Sequence, residues 1–189
     1  YWLLRYTRPL ISDGRNVASG VQVSWDVPAY ATGYKIYRAT GSSSTWKQVK
    51  HETSGKTASW VDTKVTNGIK YRYKVKALYG GEESPLTPEG HRYRVIRPAK
   101  FTAKSTKARK LTAAWSVNTR ATGYQLCYAT NKSFSNSRTL NISGSSSKSK
   151  TITGLSRGKK YYVKVRACKK VGKESYFSAW SAVKLIRVK

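Results

Sequence analysis

An all-β chain folded as two tandem β-sandwiches is what the sequence predicts, and three observations carry that expectation. Core-type residues recur at a constant offset of 90 positions. Apolar and polar residues alternate with period two, and turn-forming residues interrupt the chain so often that no helical period survives a full window. The offset is read directly: Trp25 recurs as Trp115, Ala31-Thr32-Gly33-Tyr34 as Ala121-Thr122-Gly123-Tyr124, Gly68 and Tyr71 as Gly158 and Tyr161, and Ala77 as Ala167. A shift that stays constant over more than fifty residues means the two copies share their core strands and differ in outer loops. The copies span 9–98 and 99–189, with the boundary near Pro98.

The strands follow in order. Val21, Val23 and Trp25 make one face of an early strand, as do Leu111, Ala113 and Trp115. Tyr34 and Ile36 correspond to Tyr124, Leu126 and Tyr128 in the next. Tyr71, Tyr73, Val75 and Ala77 correspond to Tyr161, Val163, Val165 and Ala167, with Arg72, Lys74 and Lys76 or Tyr162, Lys164 and Arg166 between them. That is the apolar-in, polar-out alternation of an antiparallel sheet with one solvated face. Gly41 to Ser44, Asn67-Gly68 and Gly144 to Ser147 supply the turns. Residues 1–8 admit two readings, the tail of an upstream module or the first strand's lead-in, because Arg5-Tyr6-Thr7-Arg8-Pro9 is echoed by Arg94-Val95-Ile96-Arg97-Pro98.

These residues together resemble the fibronectin type III module, over essentially the whole chain. The likeness rests on a Trp ending the second strand, an alternating Tyr-x-Ile or Tyr-x-Leu strand after it, and Gly-x-x-Tyr opening a Tyr-x-Val-x-Val-x-Ala strand. The Gly68 to Tyr71 and Gly158 to Tyr161 spacings suit a tyrosine corner. The phrases Gly20-Val21-Gln22-Val23-Ser24-Trp25, Ala-Thr-Gly-Tyr-Lys-Ile-Tyr-Arg from Ala31, and the run Gly158 to Ala167 are similar to tandem modules of Gram-positive, clostridial-type surface proteins. The resemblance implies part of a longer secreted or surface-displayed bacterial protein, acting in adhesion or as a spacer. Phe177-Ser178-Ala179-Trp180-Ser181 also resembles the Trp-Ser-x-Trp-Ser box of cytokine-receptor modules, which implies a cation-π stack of Trp180 on Arg166 or Lys164 and a fastening of the last strand. The module's usual register sets Tyr124 opposite Ala167. Cys127 then lies opposite Lys164, roughly 13 Å along the strand from Cys168, too far for a disulfide. Both thiols are expected free and outward-facing.

Composition narrows the function. The 189 residues hold 37 Lys and Arg against 8 Asp and Glu, a net charge of +29, yet 39% are hydrophobic, enough to fold. No run of about eighteen apolar residues would span a membrane, and no export-signal pattern opens the sequence. Catalysis lacks its parts. Residues 99–189 contain one acid, Glu174, and no His; His51 and His91 fall on loops or strand edges without a nucleophile or carboxylate arrangement. Neither Cys127 nor Cys168 has metal-ligand spacing, so no metal or cofactor is expected.

Charge distribution is the feature that points to a partner. Residues 99–189 hold 21 Lys and Arg and one acid, net +20, whereas residues 1–98 hold 16 and seven, net +9. Lys159, Lys160, Lys164, Arg166, Lys169, Lys170 and Lys173 are expected to form one continuous basic strip along the second copy's longest strand. Such a strip attracts anionic polymers by counterion release, and a net charge of this size exceeds the roughly 2–8 that keeps a small domain soluble. An anionic cell-wall polymer such as teichoic acid, or a sulfated or acidic host glycan, is the expected partner. The strip carries no recognition helix or paired stacking aromatics for sequence-specific nucleic acid. A protein-receptor module with a host or self partner and a pure spacer are the competing readings. Trp46 and Trp60 offer either an exposed platform for a sugar ring or packing against the sandwich edge.

Overall fold

The computed structural model describes residues 6–189, and these divide into two compact units, the first ending at Arg94 and the second spanning Val95–Lys189. The boundary lies ahead of Pro98 because the chain changes allegiance at one peptide bond. The Arg94 amide donates to Ile69 O and its carbonyl accepts from Gly68, inside the first unit. Two residues on, Ile96 O accepts from the Asn118 side chain of the second. Residues 1–5 lie outside the described residues. Tyr6 packs edge-on against Tyr79 at 5.8 Å, and the Tyr79 hydroxyl donates to Thr7 O at 2.6 Å, so residues 6 and 7 dock on the first unit.

The first unit is a sandwich of two antiparallel sheets. One contains β1 (Ile11–Asn16), β2 (Val21–Trp25) and β5 (Ser59–Asp62) in the order β1-β2-β5. The other runs β4 (Lys47–Glu52), β3 (Gly33–Thr40), β6 (Lys70–Tyr79) and β7 (Glu82–Glu83), with β8 (Gly90–Tyr93) also on β6. The second unit repeats this plan. Here β9 (Phe101–Lys104), β10 (Leu111–Trp115) and β13 (Ser149–Ile152) form one sheet. The opposing sheet runs β12 (Arg138–Ser143), β11 (Gly123–Ala129), β14 (Lys160–Val171) and β15 (Glu174–Phe177), with β16 (Lys184–Arg187) pairing β14. Every pairing is antiparallel, and the β11–β14 register places Tyr124 opposite Ala167 and Cys127 opposite Lys164, as expected.

Alternation explains the cores. From Tyr71 to Ala77 on β6 and from Tyr161 to Ala167 on β14 every second side chain is buried, and the intervening ones are half-exposed. Each buried Val, Leu or Ile contributes about 1.5–3 kcal/mol relative to exposure. Trp25 packs on Tyr34 at 5.3 Å and Trp115 on Tyr124 at 5.4 Å. The Tyr34 and Tyr124 hydroxyls donate to Gly55 O and Ser145 O, both at 2.8 Å. Both tyrosine corners form: the Thr66 amide donates to the Tyr71 hydroxyl at 2.9 Å and the Ser156 amide to the Tyr161 hydroxyl at 3.2 Å.

The last strand of each unit is broken into two, and hydroxyls bridge the break. Ser178 N–H donates to Ala167 O while its Oγ accepts the Ala167 amide at 3.0 Å; Ser181 does the same with Val165. The first unit has the same device in Ser84 on Ala77 and Thr87 on Val75. A hydroxyl thus replaces the missing carbonyl of the ladder, so the buried amides of the long strand keep an acceptor.

One region of the interior differs in kind. In the first unit Asp62, 1% exposed, accepts from Arg38 at 2.7 Å and from the Tyr73 hydroxyl at 3.0 Å. Burial, then the adjacent carboxylate, pushes the Tyr73 hydroxyl pKa far up. Ninety residues on, the corresponding positions are Ile152, Tyr128 and Val163, all buried. The Arg38 guanidinium over the Tyr71 ring at 5.3 Å gives way to Tyr128 against Tyr161 at 6.4 Å. A buried ion pair has become apolar packing, which removes a carboxylate without leaving a stranded cation.

Candidate polyanion-docking surface

The twelve residues of β14, eleven steps of about 3.3 Å, span some 36 Å. That length breaks the expected strip into three groups. Lys159 and Lys160 sit at the strand's start, Lys164 and Arg166 in its middle, and Lys169, Lys170 and Lys173 around the hairpin at its end. Lys169 also leaves the outer face. It shares the parity of Tyr161, Val163, Val165 and Ala167, and its Nζ reaches back to Arg120 O at 3.4 Å.

The middle pair is built into a ladder of rings and cations. The Arg166 guanidinium lies 3.9 Å from the Phe177 ring centroid and 4.3 Å from that of Trp180. Lys164 Nζ lies 4.9 Å from Trp180 and 3.8 Å from Phe134. Arg166 further donates from Nε and one terminal nitrogen to Gln125 Oε1, at 2.9 and 2.7 Å. Burial lowers the Arg166 pKa from its ordinary value, though an arginine remains charged throughout the physiological range. Each such stack contributes about 0.5–2 kcal/mol, more as it is desolvated. Both cations expected to stack on Trp180 do so, and the same packing takes them out of an open strip. Cys127, opposite Lys164 in register, is 4% exposed despite its outward parity. Cys127 and Cys168 are free thiols, and burial raises the pKa of Cys168.

The first unit treats its cations differently. Lys76 stands where Arg166 does, and Lys35 where Gln125 does; both bind Glu83, Lys76 at 3.0 Å. Glu83 pairs with Leu78 as Phe177 pairs with Cys168, so a carboxylate occupies the ring's register position. Arg72 binds Glu89 at 2.8 Å. Carboxylates pair with Lys35, Arg72 and Lys76 on the first unit's outward face, while Lys74 rests on a ring; in the second unit rings and an amide hold Lys164 and Arg166 without cancelling their charge. Trp46 lies beneath Arg72 and Lys74, at 5.2 and 4.7 Å, and Trp60 packs against the core cluster, so neither is an open platform.

Of the strip's lysines, Lys159 and Lys160 at one end of β14 and Lys170 and Lys173 at the other stay exposed. At the start of β14, backbone bonds draw three segments together: Arg109 N–H to Lys189 O, Leu155 N–H to Arg109 O, and Gly158 N–H to Val188 O. Lys159 and Lys160 there join Lys107, Arg109, Lys110, Arg157, Arg187 and Lys189, eight exposed basic residues from separate stretches of sequence. At the other end, Lys170 and Lys173 border a cleft of about 510 Å³ between the ends of β11 and β12 and the β14–β15 hairpin. Its lining includes Gln125, Asn141, Cys168, Ser175 and Phe177. Sequence reasoning missed both. The available signal for the cleft was Gln125, an amide where the first copy has Lys35.

An amylopullulanase of Thermoanaerobacter thermohydrosulfuricus is 38% identical over 74 residues, 39% of this chain and 5% of that protein. An amylopullulanase of Thermoanaerobacterium saccharolyticum is 35% identical over 85 residues, 43% of this chain and 6% of that protein. The chain therefore spans only a small part of the length of these relatives. Among solved structures, a two-fibronectin type III domain segment of chicken tenascin aligns over 96% of this chain and 100% of its own, at 15% identity and a TM-score of 0.47. The FN1-FN3 domains of chicken CNTN1 align over 97% and 66%, at 17% identity and 0.45. The chain is thus a pair of fibronectin type III-like β-sandwiches, the second of which matches the fibronectin type III domain family over residues 97–184.

Proposed function

We propose that the chain is a non-catalytic docking segment of a larger extracellular bacterial protein, and that its second unit holds anionic polymer, wall teichoic acid or an acidic glycan. The observation that carries this reading is the exchange of partners around the outward cations. Carboxylates bind three of them in the first unit, Lys35, Arg72 and Lys76; in the second, rings and an amide hold Lys164 and Arg166, so their charge is left uncancelled. Of the seven positions expected from sequence, Lys159, Lys160, Lys170 and Lys173 meet the polymer directly, while Lys164 and Arg166 add to the field from within the ladder. The likeness to segments of two amylopullulanases supports an extracellular setting, in which a module of this kind keeps its host protein near a polysaccharide or wall.

Retention of the full chain on heparin and on purified Gram-positive walls, eluted with salt, tests the proposal. Each anionic contact should add about 0.7–0.9 to the slope of log affinity against log salt, by analogy with nucleic acids. Glu at Lys159, Lys160 and Arg187 should shift elution to markedly lower salt, whereas Glu at Lys47, Lys56 and Lys64 of the first unit should shift it little. Negligible retention at physiological salt would establish the spacer reading instead, and a salt-tolerant, saturable protein partner the receptor reading.

A further inference from the structure

The cleft beside the β14–β15 hairpin has a hydrogen-bond polarity that can be worked out atom by atom. A guanidinium only donates. The two Arg166 bonds therefore fix the Gln125 oxygen toward Arg166, and Gln125 Nε2 donates to Asn141 Oδ1 at 2.8 Å. That commits the Asn141 oxygen and leaves both hydrogens of its Nδ2 for a ligand. Several other polar groups of the lining are occupied. The Thr122 hydroxyl donates to Cys168 O at 3.3 Å and accepts from the Lys170 amide at 2.7 Å, and Ser175 engages the Cys168 thiol. Among the described residues, the ammonium groups of Lys170 and Lys173 and the Ser143 hydroxyl add to the donor set, and no carboxylate lines the cleft.

We infer that this cleft is a subsite for one acidic sugar residue. Lys170 and Lys173 bind its carboxylate or sulfate, and the Asn141 amide binds a ring oxygen or hydroxyl across the opening. Two lysines alone would suit a bare ion. A donor at the opposite rim, in a cleft within the roughly 300–1,000 Å³ range of small-ligand sites, suits a ligand with acceptors at both ends. The ladder then has a second role, since Arg166 orients Asn141 through Gln125. This inference rests on the docking reading above and gives it a chemistry.

The test is a titration of the isotope-labelled full chain with a heparin tetrasaccharide at fixed salt, followed by NMR. Shifts are expected at residues 122–125, 141–143 and 168–177. Asn141→Asp keeps the acceptor for Gln125 but replaces the outward donor with a charge, and should weaken binding about tenfold or more. A melting curve checks that it folds; should it not, Asn141→Ser removes the donor without adding charge and should weaken binding about threefold or more. Glu at Lys159 and Lys160, roughly 30 Å away, should leave tetrasaccharide affinity within about twofold at moderate salt. Wild-type affinity in the folded Asn141 variants would overturn the subsite, as would inorganic sulfate reproducing the same shifts, which would mean an adventitious ion only. Long heparin retained without any tetrasaccharide in the cleft would overturn the subsite and leave the docking reading intact. Loss of both would overturn the docking reading itself.

Discussion

Arg166 and Gln125 face each other across β14 and β11, joined by two hydrogen bonds from one guanidinium to one amide oxygen. The Phe177 and Trp180 rings also lie within 4.3 Å of that guanidinium, so a single side chain ties the second and third strands of its sheet to the broken last strand. Arg166→Lys keeps the charge and loses the planar fork. It should destabilise the second unit by about 1–2 kcal/mol, measured by chemical denaturation of the full chain with Trp fluorescence. An unchanged midpoint would show that the ladder is not structural.

The serine bridges give a paired prediction. Ser178→Ala and Ser84→Ala each strip an acceptor from a buried amide, Ala167 N–H or Ala77 N–H. Each should cost about 1–3 kcal/mol in its own unit. Hydrogen exchange at Ala167 or Ala77 should accelerate in the matching variant only. Equal protection in wild type and variant would mean another acceptor takes over.

Alkaline pH should separate the two units. Burial raises the pKa of Tyr34 and Tyr124, one in each unit, and raises that of Tyr73 further in the first unit alone. A raised folded pKa means the native state holds its proton longer than the unfolded chain. The stability this represents is complete below the unfolded value near 10 and is lost as pH climbs above it. Melting between pH 8 and 11 should therefore show the first unit weakening sooner, and Tyr73→Phe should flatten its pH dependence. A second unit equally sensitive would count against the Tyr73 assignment.

Thiol chemistry checks the strand register. Without reductant, two thiols should be alkylated in denaturant, since Cys127 and Cys168 lie four residues out of register. In the native protein Cys168 should react slowly at neutral pH, its pKa being raised, and Cys127 more slowly still, being covered. An intramolecular disulfide would contradict the β11–β14 pairing.

The strands and their pairing were legible because period-two alternation and the 90-residue offset act on backbone geometry, which side-chain chemistry does not override here. Tyr124 opposite Ala167 came from the register usual in the module that the chain resembles, and the β11–β14 pairing has it. The outward face was legible only by parity. Lys164 and Arg166 project outward as expected, yet where their charge goes depends on Phe134, Phe177 and Trp180, which come from other elements. Lys169 was grouped with Lys170 by proximity in sequence, although adjacent strand residues point to opposite faces. The first unit's serine bridge was hidden because Ser84-Pro85-Leu86-Thr87 lacks the aromatic residues that make its counterpart noticeable. The cleft depends on the orientation of two amides, which only a resolved hydrogen-bond network reveals.

The Asp62, Arg38 and Tyr73 cluster has a consequence for how neighbouring copies avoid misassembly. Tandem domains of similar sequence, emerging one after the other from the ribosome, risk exchanging strands. If β5 of the first unit entered the second, Asp62 would meet Tyr128 and Val163 in place of Arg38 and Tyr73, a carboxylate sealed from water with no guanidinium beside it. If β13 entered the first, Ile152 would leave the Arg38 charge unmatched. The first hybrid carries a stranded buried charge, a penalty of several kcal/mol that the correct pairing escapes, and the second an unmatched cation that is only partly buried. Divergence at three interior positions thus acts as a barrier to domain swapping.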